Sequence, residues 1–148
     1  MSSDAHRPAD PDFAARIRTS FERQGLMAHL GAGLVEVAPG RVVIALPVRP
    51  EVGQQHGFVH GGALAAVLDS ACGYAALSLT PPGHEVLTVE FKVNFLAPAR
   101  GTRILAEGRV LRAGRRLIVV EGRARAEDGA TTRDGAHMTA TLLTGPAG

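Results

Sequence analysis

Gln54-Gln55-His56-Gly57-Phe58-Val59-His60-Gly61-Gly62 runs directly into Ala63-Leu64-Ala65-Ala66-Val67-Leu68-Asp69, and the chain then stays mostly apolar or small until Pro81-Pro82-Gly83. The spacing predicts a helix over residues 61–79. It is apolar on nearly every side, which is the pattern of a buried helix rather than a surface one. Two glycines open it, so a ligand can approach its backbone closely there. The first amides of a helix lack intrahelical partners and lie at the positive end of its dipole. A carbonyl oxygen placed against them would be polarised and a developing oxyanion stabilised. Asp69 sits inside this apolar helix, where a lone carboxylate is costly unless it has a task or a partner.

Outward from that helix the pattern changes to period two. Upstream, residues 34–37 and 41–48 read as strands joined by Pro39-Gly40, with Val42, Ile44, Leu46 and Val48 alternating. Residues 50–59 read as a loop. Further upstream, Phe13, Ile17, Phe21 and Met27 interleave with arginines, giving a short amphipathic helix that ends near Gly25. Downstream, residues 86–96 alternate strictly: Val89, Phe91, Val93 and Phe95 on one face, Thr88, Glu90, Lys92 and Asn94 on the other. Residues 103–111, 117–126 and 136–144 give three more strands, with turns at Ala113-Gly114 and Asp128-Gly129. A run of antiparallel strands around one helix is an α+β arrangement, the sheet wrapped around one long central helix. Residues 1–11 read as a flexible tail and 12–145 as a single domain.

Composition narrows the function classes. The chain has 148 residues, 45% of them apolar and 20% charged, which suits one globular domain with a real core. A net charge of +2 without a basic cluster argues against nucleic acid as a partner. No run is long and apolar enough for a membrane span, and the N-terminus does not read as a secretory signal. The single cysteine, Cys72, cannot form an intramolecular disulfide and fits a reducing, cytoplasmic setting; it reads most simply as a small buried residue. His56 and His60 lie four apart but lack a third ligand, so no metal is expected.

Spacing sets one more constraint. Gly61 and Asp69 are eight residues apart, about 12 Å along a helix axis. A nucleophile or base and an oxyanion donor must both come within about 3 Å of the reacting group. One helix hardly achieves this, whereas two antiparallel copies could, with Gly61 of one subunit opposite Asp69 of the other. The residues thus read as a homodimer with shared sites.

The pattern resembles the hotdog-fold acyl-CoA thioesterases, in the PaaI-type branch that includes phenylacetate-pathway, aryl-CoA and fatty acyl-CoA thioesterases. The resemblance covers roughly residues 30–144. It rests on His60-Gly61-Gly62 followed by Asp69, on Gln54, on Leu87-Thr88-Val89-Glu90-Phe91 and Phe95-Leu96-Ala97-Pro98-Ala99, and on a closing strand over 136–143. It implies a hotdog fold and hydrolysis of an acyl-CoA thioester, with coenzyme A as part of the substrate and no cofactor. It implies that the Gly61 N–H receives the thioester carbonyl, and that Asp69 acts as nucleophile or general base. Gln54 would hold the carbonyl or the water, Thr88 would position the water, and His60 would orient the loop. Gly62 would border the substrate. Arg115 and Arg116, otherwise a solvated turn, would meet the nucleotide end of coenzyme A. It also implies a dimer of dimers. At Gly73, some aryl-CoA relatives carry a hydroxyl residue.

Two other functions use the same scaffold. A hydratase or dehydratase would need a His/Asp or His/Glu pair, and the helix supplies none. A non-catalytic acyl-CoA sensor normally carries a DNA-binding helix-turn-helix, for which about 30 residues ahead of the fold are too few. Aryl versus alkyl specificity, and coenzyme A versus acyl-carrier protein, stay open at this level.

Overall fold

A computed structural model describes residues 6–148. In chain order the elements are helix α1 (Phe13–Glu22), helix α2 (Gly25–Leu30), strands β1 (Gly33–Ala38) and β2 (Arg41–Pro47), a 3-10 turn (Pro50–Val52), helix α3 (Gly61–Leu77), then strands β3 (His84–Phe95), β4 (Arg103–Ala113), β5 (Leu117–Asp128) and β6 (Thr131–Pro146). The strands form one antiparallel sheet in the order β1-β2-β4-β5-β6-β3. It wraps around α3, giving the α+β hotdog arrangement.

Helix α3 is the core. Leu64, Val67, Leu68, Ala71, Cys72, Ala75 and Ala76 are all buried, and they pack on the inward residues of the strands, such as Ile44, Ala106, Val120, Met138 and Leu142. Two glycines let the helix sink into the sheet. Gly108 on β4 and Gly122 on β5 are cross-strand partners. A Cβ at Gly108 would stand 2.4 Å from the Ala71 carbonyl oxygen and 2.6 Å from the Cys72 nitrogen, and one at Gly122 would stand 3.0 Å from Cys72 Sγ. The obstacle at Gly108 is helix backbone, which cannot rotate away. Gly108→Ala is therefore expected to destabilise the fold by about 2–3 kcal/mol, a fall in Tm of roughly 5–10 °C. A thermal melt within a degree or two of wild type would show that α3 is not seated in this way.

The elements match the sequence reading with three differences. The amphipathic helix ends as α1 at Glu22, near Gly25, but a second short helix follows that the sequence reading lacks. The chain breaks at Gln24 (φ −78°, ψ 105°) and restarts as α2, which buries Met27 and closes on Gly31 at φ 73°, a left-handed position that suits glycine. Strand β6 begins at Thr131 rather than near 136, because the tight turn at Gly129 lets Thr131 pair at once with Asp128.

The third difference matters for the site. The strict alternation expected along 86–96 is interrupted by a bulge at Val89: Thr88 pairs with Leu142 and Glu90 with Thr141. An extra residue in one strand reverses the phase of everything beyond it. Thr88 therefore lies on the same inward face as Phe91, Val93 and Phe95, opposite the buried residues Leu142, Ala140, Met138 and Ala136, and not with Glu90, Lys92 and Asn94.

Of the segment expected to be a flexible tail, residues 1–5 lie outside the described residues. Asp10 is buried and pairs with Arg16 at 3.2 Å. Arg16 in turn donates to the carbonyls of Leu77, Thr80, Pro81 and His84. One of these, Leu77, is the last residue of α3, and its carbonyl also accepts the N–H and the hydroxyl of Thr80. Through Arg16, α1 is fixed across the C-terminal end of α3. Among the described residues no helix is long and apolar enough to cross a membrane.

Candidate active site

Helix α3 carries polar chemistry at two separate places. Near its middle, Asp69 is half-buried, and Thr88 Oγ1 donates to its Oδ1 at 2.7 Å. The bulge at Val89 turns Thr88 inward to make this bond. Asp69 and Thr88 line one cavity of about 320 Å³ with Gly73, Leu77, Val86 and Leu142. Gly73 leaves open the space beside the carboxylate where a hydroxyl residue could have stood; Thr88 supplies a hydroxyl from the sheet instead.

The second place is the start of α3. His60 is the N-cap residue, and its Nδ1 accepts the Gly62 N–H at 2.7 Å. His60 thus orients the helix start with its ring, and the Gly62 amide is already engaged. The Gly61 N–H has no acceptor among the described residues. Gly61 lies under Phe95, whose ring would meet an added Cβ at 3.0 Å. Gly61 and Gln54 line a different cavity, of about 430 Å³, with Phe58, Leu64, Phe95 and Pro98. The Gln54 side chain accepts the backbone N–H groups of His56 and Phe58 through Oε1, so it holds its own loop in shape and leaves its Nε2 for a ligand.

The residues singled out from sequence therefore fall into two sets. Asp69 with Thr88 forms one, and Gly61 with Gln54 the other. They are not brought together within one copy of the chain. Arg115 and Arg116 lie in the β4–β5 turn and line a groove of about 710 Å³ that shares Glu85 and Leu87 with the Asp69 cavity. Gly62 lines a further depression with His60, Leu30 and Ala66.

Cys72 lies one turn beyond Asp69 and is buried. Burial, then the nearby Asp69 and Glu121 carboxylates, push its thiol up to about 12. It stays protonated at any ordinary pH and is no nucleophile. Among the described residues no three His, Cys, Asp or Glu side chains gather as metal ligands.

Sequence reasoning missed four residues around Asp69. Ser20 and Gln24, from α1 and the break after it, line the Asp69 cavity together with Ser70 and Tyr74. Ser70 follows Asp69 directly on an otherwise apolar helix, which was a usable signal. Ser20 and Gln24 gave none, because only the docking of α1 brings them there.

Comparison with known proteins identifies the family and the fold. The family model of the thioesterase superfamily matches residues 56–132. A solved thioesterase family protein from Silicibacter pomeroyi is 47% identical, with a TM-score of 0.89 over 91% of this chain and 99% of that one. The medium/long-chain acyl-CoA thioesterase YigI of Salmonella typhimurium is 31% identical over 100 residues, 59% of this chain and 63% of that protein. The PaaI protein from the phenylacetic acid degradation operon of E. coli superposes with a TM-score of 0.81 over 93% of this chain and 94% of its own, at 19% identity, a likeness of fold.

Proposed function

Since the chain belongs to the thioesterase superfamily and is thereby a thioester hydrolase, we propose that it cleaves acyl-CoA thioesters with the Asp69 carboxylate, at sites that two copies of the chain build together. The observation that carries this reading is the division of the site. Asp69 and Thr88 face one cavity, while Gly61 and Gln54 face another farther along the same helix.

The free edge of β3 supports a second copy as the missing half. β3 is a terminal strand of the sheet. Along it and just past its end, Leu87 is 74% exposed, Val89 60%, Phe95 53% and Leu96 59%. A long apolar edge of this kind invites pairing with another strand. Antiparallel pairing of two β3 strands about a two-fold axis near Phe91 and Lys92 would set Thr88 of one copy opposite Phe95 of the other. Asp69 lies beside Thr88 and Gly61 beside Phe95, so each Asp69 would meet the partner's Gly61. The exposed Leu117, Val119 and Leu143 on the outer sheet face leave a further surface for joining two dimers into a tetramer.

In such a site each group has a task. The Gly61 N–H of the partner subunit receives the thioester oxygen, aided by the helix dipole. Thr88 occupies Oδ1 of Asp69, which leaves Oδ2 to attack the thioester carbon or to take a proton from water. With Asp69 as base, the water oxygen bonds to the acyl carbon, the carbon–sulfur bond breaks, and the proton taken up by Asp69 passes to the sulfur, giving the free acid and coenzyme A thiol. With Asp69 as nucleophile, an acyl–Asp69 anhydride forms as the thiolate leaves. Water then hydrolyses it to the free acid, restoring the carboxylate and supplying the proton to the sulfur. Arg115 and Arg116 stand where the groove continues from the Asp69 cavity, suited to the phosphates of coenzyme A. A cytoplasmic setting fits an acyl-CoA substrate and a free, buried cysteine.

The test is thiol release from a panel of aryl- and alkyl-CoA thioesters. Turnover of at least one class is expected; correctly folded protein that cleaves none would end the proposal. Thr88→Ala and Gln54→Ala are expected to lose rate by about tenfold to a few hundredfold without loss of assembly, as positioning groups do. Normal hydrolysis by both would place the site elsewhere.

A further inference from the structure

The hairpin that joins β4 to β5 carries features that hydrolysis does not use. Its residues 111–117, Leu-Arg-Ala-Gly-Arg-Arg-Leu, are all exposed. Leu111 is 54% exposed and Leu117 51%. No acidic residue lies between Glu107 and Glu121. We infer that this hairpin docks the protein on an anionic lipid surface, with Leu111 and Leu117 entering the headgroup layer and Arg112, Arg115 and Arg116 meeting the lipid phosphates.

Three observations carry it. First, the charge is concentrated and unpaired. Arg16, Arg41, Arg103, Arg109, Arg123 and Arg125 each face a carboxylate. Arg112, Arg115 and Arg116 make no ion pair among the described residues. The chain as a whole has a net charge of +2, so this one turn carries more positive charge than the entire molecule. The planar fork of arginine suits phosphate oxygens. Second, a bulge sets a leucine outward. The β4–β5 register slips between Val110 and Arg112. Leu111 is left without a cross-strand partner, and its apolar side chain stands in water at the edge of a basic turn. Third, coenzyme A does not account for the whole hairpin. Arg115 and Arg116 line the groove that continues into the Asp69 cavity, but Leu111, Arg112 and Leu117 do not.

The shape favours lipid over protein. A stable protein interface takes about 20–30 residues from each side, and this is an exposed turn of a few residues. A lipid surface needs no matching concavity. Apolar side chains flanked by basic ones are what hold an interfacial element in the headgroup layer. The arginines add an attraction to an anionic leaflet that fades within a Debye length. Docking would also turn the mouth of the groove, of about 710 Å³, toward the lipid.

The experiment measures flotation of the intact chain with vesicles of phosphatidylcholine alone, and with vesicles that contain about 30% phosphatidylglycerol. Binding is expected on the anionic vesicles, at least about tenfold weaker on the neutral ones, and falling as salt rises from about 50 to 300 mM. Arg112→Glu is expected to weaken it by about ten- to thirtyfold, and Leu111→Ser by about three- to tenfold. Both positions are exposed and lie outside the groove. The melting temperature, and the hydrolysis of a short-chain, water-soluble acyl-CoA, are therefore expected to stay at wild-type values. Equal binding to neutral and anionic vesicles overturns the inference, as does anionic binding that both variants retain. Wild type that ignores vesicles altogether also overturns it and leaves the hairpin to a protein partner such as a second copy; a smaller assembly for Arg112→Glu would mark that case. Each of these results leaves acyl-CoA hydrolysis standing, since that is measured separately.

Discussion

Asp69→Asn is expected to lower kcat by about two to four orders of magnitude on every thioester the protein cleaves. The amide keeps the shape of the carboxylate and can still accept the Thr88 hydroxyl, which now bonds Oδ1 at 2.7 Å. What it loses is the charge that attacks carbon or takes a proton from water. Because the polar contact survives and Asp69 is only half-buried, the fold and the assembly are expected to persist, with a Tm close to that of wild type. The buried Cys72 thiol, held protonated by its surroundings, cannot substitute as nucleophile. Near wild-type turnover by a folded Asp69→Asn protein would remove the carboxylate from the mechanism.

Gly61→Val is expected to be nearly as damaging, at about 10²- to 10³-fold in kcat, the usual cost of losing an oxyanion donor. The backbone N–H remains, but the new side chain occupies the approach to it. Its Cβ would press on the Phe95 ring at 3.0 Å. That ring is half exposed and able to yield, so the variant is expected to fold. Gly61 stands at the first turn of α3, where a β-branched residue costs little helix stability. The loss should therefore appear in kcat more than in melting temperature. Full activity in Gly61→Val would show that the thioester oxygen does not sit against this amide.

Much of the architecture was legible in the sequence because it depends on short-range pattern. The apolar run after Gly61 gave the buried helix, and alternation along 41–48 gave a strand. The tight turns at Gly40 and Gly129 fixed which strands pair. The proposed site residues His60, Gly61 and Asp69 stood out because each breaks the pattern around it. What stayed hidden depends on tertiary contact. The bulge at Val89 has no sequence signature, yet it decides that Thr88 faces Asp69 and not solvent. The seat for α3 is a pair of glycines, Gly108 and Gly122, fourteen residues apart and joined only by the β4–β5 register. Each alone reads as an ordinary glycine in a strand. Ser20 and Gln24 reach the Asp69 cavity because Arg16 docks α1 on the end of α3. Helix α2 was missed because Gln24-Gly25 looks like an ending, although Met27 supplies the apolar contact that restarts the helix.

The central claim is that one thioester is served by Asp69 of one subunit and Gly61 of another, and mixing subunits tests it most directly. Asp69→Asn and Gly61→Val are each nearly inactive alone under this account. Combined and reassembled, they form mixed dimers in which one site carries both defects and the other carries neither. Random pairing makes half of the dimers mixed, with one intact site in each, so activity is expected to return to about a quarter of wild type. If verified mixed dimers remain as inactive as the parent variants, Gly61 and Asp69 do not act across the interface on one carbonyl, and the shared-site account is wrong.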